Sequence, residues 1–361
     1  MRKFANLVSK EFKHILRDNR TIMLMFVLPF IMLMLYGFAI TTDIKNVRVV
    51  IVTANMDKET QRVVDRINAS NDFYVTQVAR TPTEARKLIR HRKADIAVLF
   101  STSFANRKYT GQAGVQVMCD GADPNTTVQQ TNYLRQIVLS GLMDMSQQDL
   151  YNIRLLYNPQ IKSIYYFVPG LMGAMLLLFC AMMTSVSIVR EKEQGSMEVL
   201  LVSPTRPYSI ILSKLIPYLL ISILVQVLNL VVAYFILDVP IRGNIGAIML
   251  LSLVYTGLAL SLGLLVSIIA RTQFTAMLFT NTVLIVPTIM FSDMIFPIES
   301  MPPALQAFSA IVPARWFVSA MRKIMVMGLD LSMVHKELVN LLIIFGVLGT
   351  LALLSFKKRL D

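Results

Sequence analysis

Charged side chains are scarce in this sequence, so the places where they gather are informative. Arg190-Glu191-Lys192-Glu193-Gln194-Gly195-Ser196-Met197-Glu198 is a burst of charge directly behind an apolar run, Ile164 to Val189. Val199 to Pro204 and a further apolar run follow it. The spacing predicts a short amphipathic helix on the cytoplasmic face between two membrane spans. Arg190, Glu191, Glu193, Gly195, Met197 and Glu198 are its candidate docking residues. The acids would meet basic groups of a partner, and Met197, Leu200 and Leu201 would fill its groove. An ordinary charged turn between spans fits the same spacing. Polar residues inside apolar runs form the second set of candidates. Gln226 and Asn229, three apart, share a helix face, and Asn281 sits mid-way along a later run. In hydrocarbon such groups face a bundle interior or a water-filled path, so these three are candidates for a translocation path. Hydrogen-bond glue between helices is the competing reading. Asp293, near the outer interface, reads as solvated.

Other chemistry is excluded. No G-x-x-x-x-G-K-[ST] run is present, so no phosphate-cradling loop is expected in this chain. His14, His91 and His335 lie far apart, and no metal site or cofactor is expected. Asp120 and Asp123 flank a turn and read as turn and cap chemistry. Cys119 lies in a polar region and Cys180 in an apolar run, so no disulfide is expected. No nucleophile elbow or paired carboxylates stand out, and the chain does not read as an enzyme.

The elements that would position these residues are membrane spans. Hydrophobic residues make up 55% and charged residues 16% of 361, against about a quarter charged in soluble domains. The net charge of +13 could point to nucleic acid, but the basic residues cluster beside apolar runs, as positive-inside anchoring requires. Residues 1–20 read as a basic amphipathic helix in the membrane interface. Spans are predicted at 21–42, 164–189, 208–238, 246–270, 273–292 and 338–356, each long enough for a bilayer core of about 30 Å. Lys10, Lys13, Arg17 and Arg20 place the N-terminus in the cytoplasm, and the tail at 357–361 returns there. Residues 43–163 alternate strands and helices, a small α/β domain facing outside, with helices on one side of a sheet. Residues 293–336 are apolar but broken by Pro297, Pro302, Pro303 and Pro313. They predict two short helices, 303–312 and 315–327, either re-entrant from the outside or lying on the outer leaflet. The outer Arg315, Arg322 and Lys323 run against the charge rule.

At the charged stretch the chain resembles a known family. Residues 189–200 are similar to the cytoplasmic signature of ABC-2 type permeases, (R)-E-x-E-x-G-(T/S)-x-E. Leu16-Arg17-Asp18, Asp120 to Thr126, Ile298 to Pro302, Ile311 to Phe317 and Arg359-Leu360-Asp361 also match, so the resemblance covers essentially the whole chain. It looks most like bacterial multidrug exporter permeases with a large periplasmic domain. The fold implied is an α-helical polytopic membrane protein of the type V ABC exporter kind. It has six transmembrane helices, an N-terminal elbow helix, a coupling helix at 190–207 and re-entrant helices. An α/β extracytoplasmic domain is inserted between the first two spans. The partners implied are a dimer of ATP-binding subunits, a second permease copy or paralogue, a periplasmic membrane-fusion adaptor and the lipid bilayer, with no nucleic acid. The activity implied is ATP-driven export of drugs or other amphiphiles across a bacterial inner membrane, with ATP hydrolysed by the partner. The alternatives are a mechanotransmission subunit acting through the outer domain, and export of a lipid or glycan.

Overall fold

The computed structural model describes residues 2–39, 46–70, 72–101, 114–119, 124–142, 157–158, 162–195 and 207–358. The chain forms two compact units, one of Met1–Thr41 with Gln160–Asp361 and one of Thr42–Pro159.

The smaller unit is α/β. Its elements are β1 (Val47–Val52), α3 (Lys58–Asn68), β2 (Phe73–Ala79), α4 (Pro82–Arg90), β3 (Ile96–Phe100), β4 (Val115–Cys119) and α5 (Pro124–Leu142). The sheet order is β2-β1-β3-β4, with β1 parallel to both neighbours and β4 antiparallel to β3. Capping starts the helices where the sequence signals them. Asp57 accepts from the Thr60 amide, and Thr81 from Glu84, with Pro82 in the first turn. The expectation of helices on one side of the sheet is corrected. Val49, Ile51, Ile96 and Val98 pack with α3 and α5, whereas Val50, Val52 and Ala97 pack with Ala85 of α4. The reason is topological: β1 to β2 runs one way, and β2 to β3 returns past β1. Right-handed crossovers then put α3 and α4 on opposite faces. A buried β1 accordingly reads as a near-continuous apolar run. Its exception, Arg48, pairs with Asp95 at the start of β3 (Nη2–Oδ1 2.8 Å, Nε–Oδ2 3.0 Å).

The larger unit is helical. It comprises α1 (Arg2–Arg17), α2 (Asn19–Ala39), α6 (Ile164–Glu193), α7 (Pro207–Phe235), α8 (Ile245–Ile269), α9 (Gln273–Phe279), a π-helical segment (Thr280–Ile285), α10 (Val286–Phe291), α11 (Pro303–Ser309), α12 (Pro313–Met325) and α13 (His335–Lys358). Five helices among the described residues are long and apolar enough to cross a membrane: Ile164–Glu193, Ser209–Phe235, Ile245–Ile269, Gln273–Phe291 and Leu331–Ser355. In α2 the apolar stretch is the shorter Met25–Phe38. Close approach of α6 and α8 depends on a missing side chain: a Cβ on Gly263 would stand 2.4 Å from the Ala181 carbonyl oxygen.

The proline-broken region is tightly placed. Phe317 of α12 stacks on Tyr255 of α8 at 4.1 Å, and Tyr255 lies about 15 Å along α8 at 1.5 Å per residue. At the other end of α12, Arg242 of the α7–α8 loop donates its amide to the Met325 carbonyl at 2.9 Å. So α12 runs from mid-depth of the bundle out to its end. Arg315 holds α11 beside it through the Gln306 carbonyl (3.0 Å) and the Ser309 hydroxyl (2.6 Å).

Candidate coupling site

The charged stretch does not begin a separate helix. Arg190 to Glu193 are the last turn of α6. Gln194 caps the helix and Gly195 turns away at φ +69°, the left-handed conformation that glycine adopts without a Cβ penalty. The predicted Met197 and Glu198, with the rest of 196–206, lie outside the described residues.

The last turn of α6 is engaged within the chain. Glu191 meets the Lys214 ammonium of α7 at 2.6 Å, and Glu11 of α1 reaches the same ammonium at 3.2 Å. Lys214 is only 3% exposed. Arg190 pairs with Asp18, between α1 and α2, at 3.6 Å. Lys192 donates to the Ser267 carbonyl at the end of α8 (2.5 Å), and Glu193 accepts from both the amide (2.9 Å) and the side chain of Gln273, which opens α9. Four consecutive side chains thus tie the end of α6 to α1, α7, α8 and α9. The alternation of signs allows it: at 100° per residue the four fan around the helix, and each finds a different neighbour. A cleft of about 350 Å³ opens between α1 and this turn, lined by Lys10, His14, Asp18, Arg190, Glu191 and Gln194. Sequence reasoning missed Lys214 and Glu11. The signal was there: Lys214 is the charged residue inside the run from Tyr208 to Leu237, and an ionisable group at such a place implies a partner.

A family model described as "ABC-2 family transporter protein" matches residues 20–354. The chain belongs to the ABC-2 transporter family. It is 29% identical over 373 residues to "Probable multidrug ABC transporter permease YbhS" of Escherichia coli (strain K12), covering 100% of this chain and 98% of that one. It is 28% identical over 362 residues to "Probable multidrug ABC transporter permease YbhR" of the same strain, covering 98% of each. "ABC transporter G family member 20" of Dictyostelium discoideum is 31% identical over 180 residues, 50% of this chain and 24% of that protein. The membrane spans and the bacterial permease relatives make this ABC-2 chain a polytopic membrane permease.

The polar candidates of this ABC-2 chain fall in two environments. Gln226 and Asn229 are fully buried inside the one chain, their amides without a hydrogen-bond partner among the described residues. Ser222, one turn earlier on that face, bonds the Cys180 thiol at 3.0 Å, so the face looks toward α6. Asn281 is exposed, in the π segment of Gln273–Phe291. Asp293, read as solvated, is instead paired with Arg322 at 2.6 Å. The three cations that the sequence reading set against the charge rule are all engaged: Arg315 on α11, Arg322 on Asp293, and Lys323 on Glu337 at 2.5 Å.

Proposed function

We propose that the chain is the membrane-spanning permease subunit of an ATP-driven exporter, which moves drugs or other amphiphilic molecules outward across a bacterial inner membrane. ATP is hydrolysed by a separate dimer of ATP-binding subunits. They dock on the cytoplasmic end of α6, residues 196–206 and the cleft beside α1. The observation that carries this reading is the Glu11–Lys214–Glu191 contact. A push on residues 196–206 is delivered through α6 to α7 and α1 together, because one buried ammonium bonds to both carboxylates. Glu191 and Glu193 therefore transmit force, and the surface a partner grips is the cleft and residues 196–206.

Six spans, with α2 the first and both termini in the cytoplasm, follow from charge. Lys10, Lys13, Arg17, Arg190 and Lys192 gather at the α1 end, and at the opposite end Arg315, Arg322 and Lys323 are each engaged within the fold. The α/β unit is then periplasmic, where it would meet an adaptor of the membrane-fusion type. Residues 293–336 are re-entrant, because Phe317 reaches the depth of Tyr255. A second permease, identical or paralogous, covers the fifth and last spans, of whose apolar windows 17% and 11% are buried in this chain, against 78% for α6. Substrate passes between the two copies by Asn281 and the adjacent exposed Thr282. Gln226 and Asn229 line the interior of one copy.

The test co-expresses the chain with an ATP-binding subunit and follows ATP-dependent uptake of a fluorescent amphiphilic dye into inverted vesicles. Glu191→Lys, which sets a second cation against Lys214, should abolish uptake and the permease-stimulated ATPase. Unchanged uptake and ATPase would overturn the coupling role. Deleting residues 45–160 separates the signalling reading, since an exporter should keep its assembly and ATPase without them.

A further inference from the structure

At the end of the bundle opposite α1, one arginine holds three elements together. Arg322 of α12 bonds Asp293 through Nη1 (2.6 Å to Oδ2) and Nη2 (3.0 Å to the carbonyl oxygen), and Nη2 also faces the Tyr166 carbonyl of α6 at 3.4 Å. Its guanidinium lies over the Tyr166 ring, 3.7 Å from the centroid, a cation–π contact. The Tyr166 hydroxyl donates to the other Asp293 oxygen at 3.1 Å. Asp293 is held at φ +64°, a conformation that costs a non-glycine residue energy and persists only where its surroundings impose it.

The fifth span enters against α6: Gln273 is bonded to Glu193, and Thr280 faces Ser185 at 3.3 Å. The π segment Thr280–Ile285 follows, a form found mostly as single turns at functional sites. Beyond it, α10 packs on the re-entrant helices α11 and α12. The outer half of the span is thus fastened to α6 through Asp293 and through Met294, whose buried side chain packs on Gly170, and a hinge-like turn separates it from the anchored half.

We propose that Arg322 is a positioning residue of the transport cycle: a catch that clamps the outer half of the fifth span to α6 and α12. Its release lets that half swing about residues 280–285 and opens the outer end. This rests on the exporter reading, in which the end opposite α1 faces outside.

Ser292, fully buried beside the catch, is the reporter. In the complex with an ATP-binding subunit, Ser292→Cys is probed from outside with a membrane-impermeant maleimide, and the labelled peptide is identified by mass spectrometry to separate it from Cys119 and Cys180. Labelling should be slow without nucleotide and rise during ATP turnover. Arg322→Ala should raise the nucleotide-free rate about ten- to hundredfold, the loss expected for charge-assisted bonds. Arg322→Lys, which keeps the charge, and Tyr166→Phe, which removes only the hydroxyl, should fall between native and alanine. They also guard against a misfolded alanine variant. Rates unmoved by ATP, or equal in all variants, overturn the catch. Dye transport with Ser292→Cys protected throughout refutes the catch and leaves the exporter standing. ATP-dependent labelling without transport of any amphiphile supports the catch and refutes the exporter reading.

Discussion

Replacing Lys214 by methionine keeps most of the side-chain volume and removes the cation between Glu11 and Glu191. Both carboxylates then remain where they are nearly buried, with side-chain exposures of 10% and 17%, and they repel each other. Removing one partner of a buried ion pair costs about 3–5 kcal/mol, because the charge left behind is uncompensated. Here the ammonium serves two acids, so the upper part of that range is expected. For a unit of this size a loss of that order lowers the unfolding midpoint by roughly 6–20 °C. The assay is thermal unfolding of the purified chain in detergent, with Glu11→Gln/Glu191→Gln/Lys214→Met alongside. Neutralising all three should recover most of the loss, since a buried ionic cluster and an uncharged one of similar shape differ little. The triple variant should still fail in coupled ATPase, because neutral contacts do not hold α1 and α6 to α7 under load. A Lys214→Met midpoint within about 2 °C of the native one would refute the reasoning, since it would mean that water screens the site.

Gly263→Ala should destabilise by about 1–3 kcal/mol, because its Cβ meets the Ala181 backbone oxygen at 2.4 Å and backbone cannot give way. Gly346→Ala in α13, with open space around it, should be neutral or stabilising by up to about 1 kcal/mol from helix propensity alone. Melting curves of the two variants compare them directly. Gln226→Leu and Asn229→Leu should leave the midpoint equal or higher, since amides left unpaired in an apolar interior cost about 1–3 kcal/mol each. Dye transport should persist in both, while Asn281→Leu should lower it. In the α/β unit, burial raises the Asp95 carboxyl, but the side-chain and backbone bonds and the charge of Arg48 outweigh it, so it titrates below the ordinary carboxylate range. A depressed folded-state value gives stability that is present above the unfolded pKa and lost as pH falls through the folded one. Amide exchange of β1 should therefore quicken on acidification below the usual aspartate pKa, and Asp95→Asn should flatten that dependence.

Much of this was legible in one dimension. Apolar runs of spanning length located α6, α7, α8, Gln273–Phe291 and α13, because a helix in hydrocarbon has no other way to satisfy its backbone. The Thr81-Pro82-Thr83-Glu84 start located α4, because the cap signal lies within four residues of the helix start. The charged burst was placed correctly at a span end, but its extent as a separate helix was not readable. Nothing local stops α6 before Gly195, and the bonds that extend it come from Lys214, Ser267 and Gln273, distant in sequence. Asp293 shows the same limit. Its type and position near an interface suit water, and only the return of α12 to the bundle end brings Arg322 to it.

The sequence by itself determined what the chain is made of: membrane spans, an inserted α/β segment, and a charged junction that marks an ABC-2 permease. Those features are periodic or contiguous, so neighbours along the chain suffice to define them. The tertiary structure alone decided which charges are engaged and with what. It turned the junction from a row of docking acids into a four-way clasp at the end of α6, and it found partners for Arg315, Arg322 and Lys323 in the proline-broken region. A charge buried in an apolar bundle takes its partner from whichever helix packs beside it, and packing across more than a hundred residues leaves no local trace in sequence.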